Sequence, residues 1–559
     1  MNQSKLIAIV FACCFYSCKE RQFADFIITN AVVYSADDSI PSATSLAITG
    51  NIIVAVGSNE EIMRYKGRHT EVKDLQSAFV MPGLNEGHGH IHSFGKILME
   101  LNLLNTKSWE EIIDSVAERV KHTPKGEWIQ GRGWHQDKWT STSDLQFDHY
   151  PYHDALSKIS PYHPVVLTHA SGHALFANKA AMDIAKISVE SKSPTGGRIV
   201  KDNNQKILGV FEENAMDLIS SFISEDKLPR EKREELIERR ALIASQKAMF
   251  FGITSFTDAG SSLEEIEVLK NLSDGGKLPL RLNVMMYHNK DLLFERIKSL
   301  PVYGKDHSLF KANAVKAYID GALGSYGAWL LEPYADNPKL TGQNTLDLAF
   351  LDSLALQCKN QDLQLCVHAI GDRANREVLT IFERRGNEGN ERWRIEHAQH
   401  IDPNDIDRFK KNKVIASMQA IHCTSDAPFV EKRLGFDRAK NTSYRWRTLI
   451  DRGVRMANGT DVPVESINPF ECIYASVTRK RADNQFEFFP EEKMTREEAL
   501  KSYTIWNAYA SFEESIKGSL TPGKLADFIV LDRNLMTCSD LEILDTKVLE
   551  VYFNGKKIK

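Results

Sequence analysis

The chain has 559 residues, 42% of them hydrophobic, with a formal net charge of −5 and an isoelectric point near 6.4. That length exceeds a single small domain, and the apolar share is enough for a large core. The charge excludes the concentrated basic surface of a nucleic-acid binder, and no apolar run of about 18 residues follows the N-terminus, so no membrane-spanning helix is expected.

At the N-terminus, Lys5 precedes a short apolar run from Leu6 to Ala12 that ends in Phe15-Tyr-Ser-Cys18, and the charged Lys19, Glu20 and Arg21 follow. Size and order are those of an export signal. Ser17-Cys18 resembles a bacterial lipoprotein processing site. The resemblance implies a signal over 1–18, lipidation of Cys18, and a membrane-anchored protein of the bacterial periplasm or cell surface; an ordinary cleaved signal is the alternative. The five cysteines beyond it, Cys358, Cys366, Cys423, Cys472 and Cys538, are scattered and odd in number, which is no disulfide framework.

From Asp25 the pattern is short alternating strands, with Gly50-Asn51 as the two-residue turn of a hairpin. Ala526–Asp532 and Val548–Lys556 read the same way at the far end. Neither end has strands enough for an independent sheet. The two are therefore expected to form one β-sandwich over 23–77 and 514–559.

Between them, over 78–513, strand and helix alternate, which argues a parallel α/β sheet. The strand candidates are Phe79–Leu84, Ile253–Thr257, Leu280–Met286, Ala314–Ile319, Gln364–His368, Arg394–His397, Val414–Met418 and Val454–Asn458. That number suits a TIM-like (β/α)8 barrel. A further strand run, Pro164–His169, falls in a stretch too long for one crossover, so about 101–251 is expected to be an insertion subdomain over the barrel mouth. Thr495-Arg-Glu-Glu498 reads as a capping box opening a helix to about Phe512, and Asp372 as the cap of a helix over 373–385.

Barrel enzymes keep their chemistry at the C-terminal ends of the strands. There the sequence offers His88 and His90, spaced to share one face of a strand, and then His368, His397 and Asp461. Four imidazoles and a carboxylate on one rim make a metal-site constellation. Lys316 stands inside an apolar strand. A buried amine is costly unless it is paired or chemically changed; CO₂ would turn it into a carbamate ligand, and pairing with a nearby carboxylate is the other reading.

This set resembles the amidohydrolase superfamily, and more narrowly the amidohydrolase-3 group of YtcJ-like hydrolases and N-substituted formamide deformylases. The narrower likeness rests on Gly131-Arg-Gly-Trp134, Ser171-Gly-His173 with Asn178, Asp320-Gly-Ala-Leu-Gly-Ser325, Val367–Asp372, Arg394-Ile-Glu-His-Ala-Gln399, Ser417-Met-Gln419 with His422, and Pro522–Phe528. It implies one or two divalent metals, zinc by preference, with His88, His90, His368 and His397 as ligands. Lys316 becomes a carboxylated bridging ligand, and Asp461 both ligand and base. Glu86 departs from the pattern, standing where the family has Asp. The implied activity is hydrolysis of a non-peptide carbon–nitrogen bond in a small molecule by a metal-activated water, with His173 or His422 stabilising the oxyanion; Glu213 is a further candidate to face the site. The same site serves an esterase, lactonase or deaminase, and a non-catalytic ligand-binding lipoprotein is the reading outside enzymes.

Overall fold

The structure is a computed structural model and describes residues 23–559 except 41, 104–105, 137–138, 141–146, 149, 171–172, 224, 226–227, 387–389 and 484–485. The export signal with Cys18, and Ser171-Gly172, lie outside the described residues. No described helix is long and apolar enough to cross a membrane.

Eight strands form the centre: β1 Leu84–Gly89, β2 Ile253–Ser261, β3 Arg281–Met286, β4 Phe310–Tyr318, β5 Gln364–Ala369, β6 Arg394–His397, β7 Ile415–Met418 and β8 Met456–Asn458. They pair in parallel and in chain order, β1 to β8. Their residues are buried almost throughout, as expected of parallel strands covered on both faces. The result is a nearly closed TIM-type barrel with helices such as Arg230–Phe250, Leu263–Asp274 and Asp372–Arg385 between its strands.

The Asn507 side chain bridges the seam between β1 and β8. The buried Asn507 amide donates to the Asn85 and Asn458 carbonyls at 2.6 and 2.7 Å and accepts from the Asn458 N–H at 3.0 Å. Further along, Asp461 N–H donates to the His88 carbonyl and His90 N–H to the Val462 carbonyl, both at 2.8 Å. These bonds tie the two ends of the barrel where the site histidines begin.

Both chain ends supply the flanking sheets. One has four strands: Ile52–Gly57, Ser45–Thr49, Phe26–Thr29 and Glu71–Asp74. The other has five, joining Val32–Val33 and Phe79–Pro82 to Phe528–Leu531, Val548–Phe553 and Lys556–Lys557. They share one core that includes Ile28, Leu46, Ile48, Val80, Phe528 and Val530. Arg281, at the start of β3, makes a buried ion pair with Asp527 at 2.5 and 3.0 Å and so clamps the barrel to this sandwich.

Several sequence expectations are corrected. The first barrel strand is Leu84–Gly89, and Phe79–Pro82 instead pairs antiparallel with Phe528–Leu531. The apolar run Phe79-Val-Met81 suits either sheet, and the switch falls at Gly83. A Cβ there would stand 2.2 Å from Thr254 Oγ1, so only glycine permits this close passage. The helix opened by the Thr495 capping box stops at Ser502, and a second, Ile505–Ala510, follows. Gly371, not Asp372, is the N-cap of the helix after β5. The stretch 101–251 holds a six-stranded sheet, in which Val165–His169 is central, with its own core of Trp109, Trp134, Phe176 and Leu208.

Candidate metal centre

At the C-terminal rim, β1 delivers His88 and His90 toward Asp461, which follows β8. Asp461 Oδ1 lies 3.5 Å from His88 Nε2 and 3.2 Å from His90 Nε2. Its other oxygen lies 3.9 Å from His422 Nε2. The ligand atoms of His88, His90 and Asp461, and those of His397, His422 and Asp461, each fall within 4.8 Å of one another. Two nitrogens on a tetrahedral zinc, each about 2.0–2.1 Å from the ion, are themselves about 3.3 Å apart, so the spacing suits a shared cation. His368 joins the group through its ring, 4.4 Å from that of His397, with Nε2 3.4 Å from Asp320 Oδ1.

The buried atoms His88 Nε2, both ring nitrogens of His368, His422 Nε2, Asp461 Oδ1 and Lys316 Nζ have no hydrogen-bond partner among the described residues. Buried polar atoms are otherwise almost always paired. On this one rim the orphan nitrogens of His88 and His368 and the Asp461 oxygen are of the types that bind divalent metals, and they fit a cation.

A set of supporting side chains fixes the ligands. In β6, Arg394 and Glu396 point into the barrel. Glu396 Oε2 accepts from His88 Nδ1 at 2.5 Å, which leaves the Nε2 lone pair free for a metal. Arg394 holds Glu396 with bonds of 2.6 and 3.0 Å and also donates to Ser417 Oγ at 2.6 Å and the Gly87 carbonyl at 2.9 Å. Burial by itself would raise the Glu396 carboxyl, but Arg394, His88 and Lys316 outweigh it and hold it well below the usual carboxylate range. His397 Nδ1 is taken in the same way by Gln419 Oε1 at 2.7 Å. His422 differs, because the Gln399 side-chain amide donates to its Nδ1 at 3.2 Å, so the neutral ring carries its proton on Nε2, toward the cavity.

Glu86, the departure from the family pattern, does not face the cation site. It accepts from Thr460 N–H at 2.7 Å and His88 N–H at 3.2 Å, bracing the turn before Asp461, and burial pushes its carboxyl up to about 8. Gly459 allows that approach, since a Cβ there would meet Glu86 Oε1 at 2.2 Å. His397 (φ 74°) and Asp461 (φ 57°) both sit in the left-handed region, strain of the kind kept at functional sites.

Electrostatics follow burial. Desolvation lowers His88 to about 4 and His368 to about 3, so both are neutral and available as ligands. Burial would raise Asp461, but the close approach of His90 and the fields of His88, His397 and His422 hold it well below the usual range. Lys316 is fully buried; burial lowers its amine below the usual lysine value, and no carboxylate pairs with it. Cys366 pairs with it in the strand register and belongs to a small buried cluster with Ala259, Met285 and Ala314.

The structure does not bring His173 to this group. Its side chain is 70% exposed and its Nδ1 lies 3.1 Å from Glu213, and neither residue lines the cavity at the rim. That cavity is about 380 Å³, and its described lining comes from His90 and from residues 316–465, with none from the insertion. Sequence reasoning passed over Asp320, Gln399 and Gln419 as partners of site histidines. Their signal was present, since each lies in a motif quoted above.

A mostly parallel eight-stranded barrel, with histidines and a carboxylate gathered on its C-terminal rim and extra sheets from the termini, defines a metal-dependent hydrolase of the amidohydrolase type. The Amidohydrolase family profile (Amidohydro_3) matches residues 71–558, and the chain belongs to that family. It is 31% identical over 550 residues to Protein LONG AFTER FAR-RED 3 of Arabidopsis thaliana, covering 96% of this chain and 91% of that one. It is 28% identical over 532 residues to the putative amidohydrolase YtcJ of Bacillus subtilis, covering 94% and 97%. It is 26% identical over 553 residues to the N-substituted formamide deformylase of Arthrobacter pascens, covering 96% and 98%. Among solved structures, an uncharacterized metal-dependent hydrolase from Pyrococcus furiosus is similar with a TM-score of 0.74 at 26% identity, covering 92% of this chain and all of that one.

Proposed function

We propose that the protein hydrolyses a non-peptide carbon–nitrogen bond, of amide or formamide type, in a small molecule. The observation that carries this reading is the set of orphaned buried atoms around Asp461 and Lys316. His88, His90, His368, His397 and Asp461 would hold one or two divalent cations, and the nitrogen and oxygen donors suit zinc. Lys316 has no hydrogen-bond partner among the described residues, and burial lowers its amine, which favours the neutral form that attacks CO₂. A nitrogen–carbon bond would form, the nitrogen would lose a proton, and the resulting carbamate would offer anionic oxygen to a cation.

When bound, the cation supplies Lewis acidity to the scissile carbonyl and makes a water nucleophilic at neutral pH. Asp461, held ionised, would take the proton of the attacking water and pass it to the leaving nitrogen as the carbon–nitrogen bond breaks and a carbon–oxygen bond forms. His422 offers its Nε2–H to the developing oxyanion. A relative along nearly its whole length being an N-substituted formamide deformylase favours formamides over esters.

The test is metal content per chain, measured by mass spectrometry on wild type and Lys316→Ala, together with turnover of matched formamide and ester panels. About two equivalents, falling on loss of Lys316, with formamide turnover, is the expected result. No tightly held metal under any loading condition would overturn the proposal, and hydrolysis of esters alone would replace the bond type.

A further inference from the structure

We infer that the substrate carries a cationic nitrogen group, of the amine or guanidine class, on an apolar body remote from the scissile bond, and that Asp426 and Glu465 receive it. This rests on the hydrolase reading above and adds the substrate class to it.

The argument starts from the rim cavity. Beyond the candidate metal residues, its wall is apolar at Leu323, Ile370, Phe429 and Val464, and anionic at Asp426 and Glu465. Apart from histidines, the one basic side chain among the described lining residues is Lys316. That side chain is wholly buried at the candidate metal centre, where the reading above makes it a ligand, and no arginine stands among the described lining residues. A carboxylate- or phosphate-bearing substrate would thus meet two acids and no guanidinium.

Neither carboxylate has a Lys or Arg ion-pair partner among the described residues. Asp426 stands four residues after His422 on the helix Ala420–Leu434, so both share one helix face. One Asp426 oxygen accepts from Tyr444 Oη at 2.6 Å, and the other has no hydrogen-bond partner among the described residues. Glu465, half-buried on the loop after Asp461, makes no hydrogen bond or ion pair with any described residue. Burial raises the Asp426 carboxyl and the Glu465 charge adds to this, whereas His422 and Tyr444 oppose it. Arg481 feels the Glu465 charge but is ion-paired to Asp483 at 2.6 Å and does not line the cavity. Like charges facing a partly desolvated wall repel, and a ligand cation relieves that repulsion.

An independent observation points to a ligand in the same space. His422 lines this cavity, is only 7% exposed, and its Nε2 has no hydrogen-bond partner among the described residues. The ring of Phe429 is backed by Gly324, where a Cβ would stand 3.3 Å from the ring, so an aromatic surface lies in the same wall as the acids. An ammonium or guanidinium over such a ring gains a further cation–π attraction. A volume of about 380 Å³ sits at the small-molecule end of binding cavities.

The experiment uses the metal-loaded full chain and three formamides of equal length, ending in an ammonium, a methyl group or a carboxylate. Their methyl-ketone counterparts, which lack the carbon–nitrogen bond, are titrated by calorimetry. The ammonium compound is expected to exceed the methyl compound by about tenfold in kcat/KM and in affinity, the scale of one charge-assisted contact, with the carboxylate compound weakest. Glu465→Gln is expected to bring that ratio close to one, and Asp426→Asn to lower it. Because Glu465 has no structural partner, its variant tests the subsite even if Asp426→Asn disturbs folding through Tyr444. Equal handling of all three compounds, or a ratio unchanged by Glu465→Gln, would sink the subsite while hydrolysis kept the enzyme reading. Ketones ranked ammonium-first with no formamide hydrolysed would support the subsite and overturn the bond type.

Discussion

Lys316 and Asp461 concentrate the chemistry at the residue scale. Lys316 is a buried amine with no hydrogen-bond or ion-pair partner among the described residues, which is destabilising in the absence of metal because its desolvation is poorly compensated. Lys316→Met is therefore expected to leave the thermal midpoint of metal-free protein unchanged or raised, while metal per chain falls. Calorimetry and mass spectrometry on the same sample check both, and a lowered midpoint in metal-free protein would indicate a structural role instead. Asp461→Asn removes the proton acceptor but keeps the shape. It is expected to lower kcat by about 10²- to 10⁴-fold, the usual range for a general base. Full turnover in that variant would remove Asp461 from the proposed role. Glu396 acts through His88, so Glu396→Gln is expected to weaken metal affinity by about 10- to 100-fold, the scale reported by equilibrium chelator titration for such supporting groups.

At the scale of elements, two polar contacts join parts distant in sequence. Asn507 satisfies three backbone groups across the seam between β1 and β8. Asn507→Ala leaves buried carbonyls and an N–H without partners, at a cost of about 3 kcal/mol or more. Asn507→Asp keeps the acceptor but loses both donations, so it should rescue little; chemical denaturation of the pair reads this. Arg281 and Asp527 join β3 to the terminal sandwich. Asp527→Ala strands a guanidinium that is 1% exposed, with an expected loss of about 3–5 kcal/mol. The motif Pro522–Phe528 was legible in the sequence as part of the family resemblance; the reason for its aspartate is this clamp. The barrel strands were legible too, because parallel strands buried on both faces are plain apolar runs. For the same reason Phe79–Pro82 could not be assigned: periodicity does not say which of two sheets a fully buried strand joins.

For the whole molecule, stability against acid follows from buried neutral imidazoles. Burial lowers His400 from the usual 6.5 to about 3 in the folded chain, where its Nδ1 meets Ser443 Oγ at 2.9 Å. The unfolded chain then binds the proton first as pH falls, so this contribution is full above about 6.5 and is lost between 6.5 and 3. Denaturation midpoints measured from pH 8 to 4 should fall in that window, and His400→Gln should flatten the fall. Cys18, proposed as a lipid attachment point, gives a prediction of place: Cys18→Ala should move the protein from the membrane fraction to the soluble one, and a membrane-bound variant would argue another anchor.

The sequence by itself determined the barrel, the terminal sandwich and the roster of candidate ligands, since these depend on periodicity, on residue chemistry and on positions at strand ends. Only the tertiary structure decided which side chains meet. The left-handed turns at His397 and Asp461, the Arg394–Glu396–His88 chain, the exposed His173 and the acidic wall at Asp426 and Glu465 all depend on contacts between strands and loops far apart in the chain. No local pattern encodes such contacts, because the free energy that selects them arises only when the barrel closes and its interior is cut off from water.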